Sequence, residues 1–283
     1  VVEDGALQLG VEDEDCRLDL QIDDFYPRTD FFPPTAGTLV DDFASSHFET
    51  SGRIHGTVTL GSRTYEVDGL CHALVHRYGV QKGDRVAVAM RNYPEWIIAF
   101  AAIVSVGAIN VSFNAWWTED EMDFALKDSG AKALIGDQQR IDTAHHVARA
   151  MGVKMLIVRP ETEVGPDIDE WTEVVKSGLG ALVADIQPDD DCTILYTSGT
   201  TGTPKGVQLT HANMCSQIEN LPLELRPGDR ALSILPIWHS YERVFEMFCF
   251  SRGVTTHYTS LRALSEDLQT VKPTVMASAP RLW

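Results

Sequence analysis

Between Arg85 and Val158 the sequence alternates short, largely apolar runs with longer stretches at helical spacing. The runs are Arg85-Val-Ala-Val-Ala-Met90, 108–113, 133–135 and 155–158. Their apolar character is that of strands buried on both faces. Asn92-Tyr93-Pro94-Glu95 opens a helix with proline near its first turn, running from Trp96 to Val106. Further helices are predicted near 118–129 and 141–151. Alternation of this kind implies mostly parallel sheets flanked by helices, an α/β fold. Upstream, 58–60 and 63–65 around Gly61-Ser62 predict a hairpin. Val67, Leu70, Ala73, Leu74 and Tyr78 then share one face of a helix, and Thr38 caps an earlier one carrying Leu39, Phe43 and His47.

Residues 1–24 hold nine acids against one base, Arg17, which predicts a solvated tail. With the boundary set by Pro33-Pro34, the expected organisation is a tail over 1–34 and a domain over 35–283. That domain divides into a subdomain of about 35–188 and a second one beginning about 189. The chain has 283 residues and is 44% hydrophobic, enough for a large core. Its 23 basic and 41 acidic residues give a net charge of −18. Such acidity argues against nucleic-acid binding and against unaided attraction to anionic membranes. Five scattered cysteines without a C-x-x-C pair predict reduced thiols. Lacking a signal peptide or an 18-residue apolar run, the chain is expected in the cytoplasm, with membrane contact peripheral at most. Val1 in place of Met, and an end at Pro280-Arg281-Leu282-Trp283, predict a piece of a longer chain.

The most chemically informative stretch is Thr193-Ile-Leu-Tyr196-Thr197-Ser198-Gly199-Thr200-Thr201-Gly202-Thr203-Pro204-Lys205-Gly206-Val207. An apolar strand empties into hydroxyls and glycines closed by one lysine. Glycines let backbone N–H groups approach an anion, the hydroxyls donate further bonds, and Lys205 supplies a compact charge. The pattern predicts polyphosphate binding. An ordinary hairpin turn of two to five residues is shorter than this run. A Walker-type loop would place Ser or Thr after the lysine and continue as a helix, whereas Gly206 and a strand follow here.

This stretch resembles the AMP-binding motif of the adenylate-forming superfamily, which includes acyl-CoA synthetases, luciferases and peptide-synthetase adenylation domains. Arg63-Thr64-Tyr65-Glu66, Lys82-Gly83-Asp84-Arg85 and Asn92-Tyr93-Pro94-Glu95-Trp96 resemble its earlier strand and helix motifs, in order. Leu235-Pro236-Ile237-Trp238-His239-Ser240-Tyr241-Glu242-Arg243 resembles the long-chain branch, including acyl-ACP synthetases. The resemblance implies the large N-terminal domain of such an enzyme, incomplete at its C-terminus.

It further implies ATP, Mg²⁺ and CoA as reactants, with a fatty acid activated to acyl-adenylate and passed to CoA or an acyl-carrier protein. Thr197, Ser198, Gly199, Thr200, Thr201, Gly202, Thr203 and Lys205 would grip the phosphates, with Thr197 a Mg²⁺ contact. His239, near the acyl carboxylate and the adenylate, and Lys205, at the phosphates, would be the catalytic residues; Trp238 and Tyr241 would wall the acyl pocket. The family's Thr-Glu adenine segment, ribose aspartate and C-terminal lysine have no counterpart here, so these residues alone are expected not to turn over. Two alternatives stay open: a non-catalytic phosphate-binding or interaction module, and a ligase for an aryl, amino or short-chain acid.

Overall fold

A computed structural model gives the backbone of residues 2–3, 6–13, 16–24, 29–30, 48–49, 52–60, 63–176, 184–197 and 204–279, with side chains described from residue 69 onward within those ranges. An antiparallel sheet comes first. Its strands are β1 (Val2–Glu3), β2 (Ala6–Asp13) and β3 (Cys16–Asp24), then, beyond the short pair β4 (Thr29–Asp30) and β5 (Phe48–Glu49), β6 (Gly52–Leu60) and β7 (Arg63–Glu66). The order is β1-β2-β3-β6-β7.

This sheet corrects the expected tail over 1–24. The acid count hid a period-two pattern. The register sets Leu7 opposite Ile22, Leu9 opposite Leu20 and Val11 opposite Leu18. It then sets Leu18 opposite Val58 and Ile22 opposite Ile54. Apolar positions coincide across three strands while Gln8, Gly10, Asp19 and Gln21 stand between them, a pattern that specifies register. The expected hairpin is β6–β7, with Leu60 paired to Arg63. The helix expected after Thr38 lies outside the described residues.

Helix α1 (Val67–His72) widens into a π-helical turn over Ala73–Arg77. Leu70, Ala73, Leu74 and Tyr78 of the predicted face are all buried. Then come β8 (Arg85–Ala89), α2 (Pro94–Ser105), β9 (Ile109–Ser112), α3 (Glu119–Ser129), β10 (Ala133–Asp137), α4 (Gln138–Met151) and β11 (Lys154–Val158). Local chemistry sets these bounds. Pro94 stands at the first turn of α2, and Gly107 follows it at φ 72°. Thr118 and Glu121 form a capping box at the start of α3, and Gly130 ends it in the left-handed region.

The short β12 (Ile168–Glu170) and α5 (Trp171–Val174) precede β13 (Asp191–Thr197) and β14 (Lys205–Thr210). Seven strands join in the order β12-β11-β10-β8-β9-β13-β14. All neighbours run parallel except β13 and β14. The α/β architecture is as expected. At the boundary expected about 189 the sheet is continuous, because β13 hydrogen-bonds to β9.

Both faces of this sheet are covered. On β8, Val86 and Val88 join a core with α1, α2 and Phe250. Ala87 and Ala89 face the other way, into a core with α3 and α4. Beyond the sheet, α6 (His211–Glu219), β15 (Arg230–Ser233), α7 (Ser240–Ser251), β16 (Thr255–Tyr258) and α8 (Leu264–Val271) follow. β15 and β16 form a separate parallel pair.

The strand order has a switch point. After β9 the chain returns to the other side of β8 to lay down β10, β11 and β12, then comes back to place β13 beside β9. In open parallel sheets a crevice forms at the carboxyl ends of the strands on either side of such a switch. Here those strands are β8 and β10.

Candidate functional site

The predicted phosphate loop is the connection between antiparallel β13 and β14, so its topology is a hairpin after all, longer than an ordinary turn. Ser198, Gly199, Thr200, Thr201, Gly202 and Thr203 lie outside the described residues. Its two ends are described: Thr197 pairs with Lys205 across the strands, and the Thr197 hydroxyl donates to the Lys205 carbonyl at 3.5 Å. Lys205 is exposed and makes no ion pair among the described residues. The glycine after it has a steric reason. A Cβ on Gly206 would stand 2.9 Å from Ile194 Cγ2, too close for any real contact. Among the described residues no group of three or more His, Cys, Asp or Glu could hold a metal ion.

A cavity of about 1610 Å³ opens at the carboxyl ends of the strands. Arg91 to Glu95 follow β8, Trp116 follows β9, Arg159 and Pro160 follow β11, Ile234 to Pro236 and Trp238 follow β15, and Thr259 to Ala263 follow β16. The lining joins apolar rings and aliphatics with basic groups. Trp116 meets Trp238 edge to face at 5.2 Å. Arg159 lies over the Tyr93 ring at 4.4 Å and donates to the buried Glu95 carboxylate at 2.8 Å. Arg91 and Arg262 line the same space. Glu95 and Asp267 line it too, so three arginines face two carboxylates, one of which Arg159 already pairs.

His239 also lines the cavity, at the residue preceding α7. Burial, and then the nearby Arg243 guanidinium, hold its imidazole below the ordinary histidine value, so the ring is neutral at pH 7. Arg243 itself is fully buried and lies 4.6 Å from the Trp96 ring. Glu242 and Glu246 flank it on α7, 0% and 1% exposed, with Ser233 and the Ile234 backbone beside the first and Tyr258 beside the second. Burial pushes Glu242 up to about 7 and Glu246 to about 8.

The predicted residues thus fall in two places. Thr197 and Lys205 sit together on the hairpin, and Trp238 and His239 sit together on the cavity wall. Tyr241 does not join them: it is 62% exposed and does not line the cavity. Its position one residue into α7 turns it outward, since α7 buries Glu242, Phe245, Glu246 and Cys249 instead. Asn92, Trp116 and the three arginines had no assigned role from the sequence. Their common signal is position: Asn92, Trp116 and Arg159 stand shortly after the carboxyl end of a parallel strand.

Residues 54–283 match the family described as AMP-binding enzyme, and residues 1–79 match a Domain of unknown function (DUF7064). Long-chain-fatty-acid–CoA ligase FadD15 of Mycobacterium tuberculosis is 35% identical over 218 residues, covering 72% of this chain and 36% of its own length. The chloroplastic long-chain-fatty-acid–[acyl-carrier-protein] ligase AEE15 of Arabidopsis thaliana is 31% identical over 231 residues, covering 72% of this chain and 32% of its own. The chain therefore spans about a third of the length of these curated relatives. Among solved structures, the N-terminal domain of FACL13 from Mycobacterium tuberculosis superposes with a TM-score of 0.63 at 26% identity, over 76% of this chain and 55% of that one.

Proposed function

Because the chain belongs to the AMP-binding enzyme family, we propose that it forms the phosphate- and acyl-gripping front of an acid–thiol ligase that activates long-chain fatty acids with ATP. The cavity is the observation that carries this reading. It joins an aromatic wall (Trp116, Trp238, Tyr258) to basic groups (Arg91, Arg159, Arg262) beside a neutral His239. An apolar tail with one carboxylate matches that combination.

The ATP end rests on the hairpin. Lys205 has an exposed ammonium at one end of the connection, and Thr197 has a hydroxyl at the other. These groups fit a polyphosphate: a compact cation with hydroxyl and glycine N–H donors between the two strand ends. In the proposed reaction a carboxylate oxygen attacks the α-phosphorus of ATP, pyrophosphate leaves, and a thiol later displaces AMP. The chain's contribution is to hold negative charge at Lys205 and to seat the acid in the cavity. The neutral imidazole of His239 would hydrogen-bond the acid without bringing a second charge. CoA and acyl-carrier protein are both proposed acceptors, as the two curated relatives are named for one or the other.

Two titrations test this reading. Palmitate should quench or shift the fluorescence of the cavity tryptophans at far lower concentration than benzoate, and Trp238→Ala should remove the difference. Preference for benzoate would move the substrate to the aryl class. For the phosphate end, Lys205→Ala should weaken MgATP binding by about tenfold, the loss of one charge-assisted contact. Equal affinity in that variant would sink the hairpin as the phosphate grip.

A further inference from the structure

The cavity wall that carries Trp238 and His239 is a stretch of irregular backbone between β15 and α7, and irregular backbone needs its polar groups satisfied by something. Two side chains from distant parts of the sequence do this. Asn92, just before α2, uses its whole amide on the segment. Its Nδ2 donates to Ser233 Oγ at 3.2 Å and to the Leu235 carbonyl at 2.7 Å. Its Oδ1 accepts the Ile237 N–H at 3.1 Å.

Arg243 holds the other side of the same residue. It donates to the Ile237 carbonyl at 3.4 Å, to Thr193 Oγ1 at 2.9 Å and to Ser112 Oγ. Ile237 is fully buried, and its N–H and its C=O are thus both bound by side chains. Two residues on, the His239 N–H donates to the Pro236 carbonyl at 3.0 Å, and its carbonyl accepts the Arg243 N–H at 3.3 Å. Thr193 lies on β13, four positions before Thr197 in the strand that leads into the phosphate loop. One guanidinium therefore ties the loop-bearing strand to the histidine-bearing segment.

We infer that Asn92 and Arg243 are positioning residues, which fix His239 against the cavity and set the acyl wall in place relative to strand β13. This inference rests on the proposed acyl site for its functional meaning, while the clamp itself is tested without any ligand. Misplacement of a catalytic group by about 1 Å can cost on the order of a hundredfold in rate, so the clamp bears on function as well as on packing.

The test is an NMR titration of the histidine rings in this chain, with the His239 signal assigned by its loss in His239→Gln. Asn92→Ala and Thr193→Ala, the second removing a hydroxyl that Arg243 holds, change no charged group, so any movement of the His239 titration reports displacement rather than electrostatics. Around the ring the charged group to consider is Arg243, which both variants leave in place. The expected result is a rise of the His239 titration toward the ordinary histidine value of about 6.5 in both variants. A lowered urea midpoint with an unchanged His239 titration would mean that the two residues serve packing alone, and the inference would be lost. Should Asn92→Ala not fold, Asn92→Ser keeps one hydroxyl donor, and the same rise, smaller, is expected there. Uptake of cis-parinaric acid, a fluorescent long-chain carboxylate, separates the two layers of argument. Failure of the unsubstituted chain to take it up would remove the acyl reading and leave the clamp to be judged by the titration.

Discussion

At the scale of single residues, the buried acids of α7 have a consequence for stability. Glu242 and Glu246 hold protons when folded that the unfolded chain releases above the ordinary glutamate value of 4.5. The native state binds more protons from about that pH up to about 8, so this contribution is full below 4.5, falls as pH rises, and levels off above 8. Urea midpoints should decline from pH 5 to pH 8. Glu246→Gln should flatten the decline and raise stability at pH 8 by on the order of a few kcal/mol, since the amide mimics the protonated acid. A pH-independent midpoint in the unsubstituted chain would show that the acids titrate as ordinary ones. Residues of this kind are hard to read in sequence. Lys205 and His239 stand out because their neighbours form a wording; Asn92 and Glu246 acquire their roles only from partners far away in the chain. Nothing local distinguishes a glutamate that will lie 1% exposed from one in water.

At the scale of elements, sequence and structure agree best where the end signals are local. Thr118 predicts the start of α3, and the Glu121 carboxylate returns a bond to the Thr118 N–H at 2.8 Å. Thr118→Ala should cost about 1 kcal/mol in urea unfolding, with the fold intact. Loss well above that would mean the cap also organises the neighbouring Trp116 and Trp117. Thr210 marks the start of α6 in the same way, and Gly107 the end of α2. Where signals conflict, legibility drops. In β2 and β3 the acids at the strand ends dominated the count, although Leu7, Leu9 and Val11 repeat at the strand period. β12 is three residues long and too short to show any period. The antiparallel sense of β14 is a matter of pairing, which a loop composed of glycine and hydroxyl residues does not announce.

At the scale of the whole molecule, the amino-terminal sheet is built across the boundary between two family matches. β3, within 1–79, pairs with β6, and the AMP-binding match begins inside β6 at residue 54. Removing residues 1–24 would strip β6 of nine paired positions and leave it as an open edge. The shortened chain should self-associate, seen as a larger mass by size-exclusion chromatography with light scattering; a clean monomer would show that β6 needs no partner there. The clamp on Ile237 has a further consequence, in time rather than space. Asn92 and Ile237 are 145 positions apart, and Arg243 and Ser112 are 131 apart. At a synthesis rate of about 5–20 residues per second, roughly 7–30 s separate the emergence of Asn92 from that of its partner. Throughout that interval the growing chain carries Trp96 and Phe100 without the helix that will later cover them. The cavity wall thus forms well after the helix it is clamped to, and the delay leaves aromatic rings of α2 uncovered on the newborn chain.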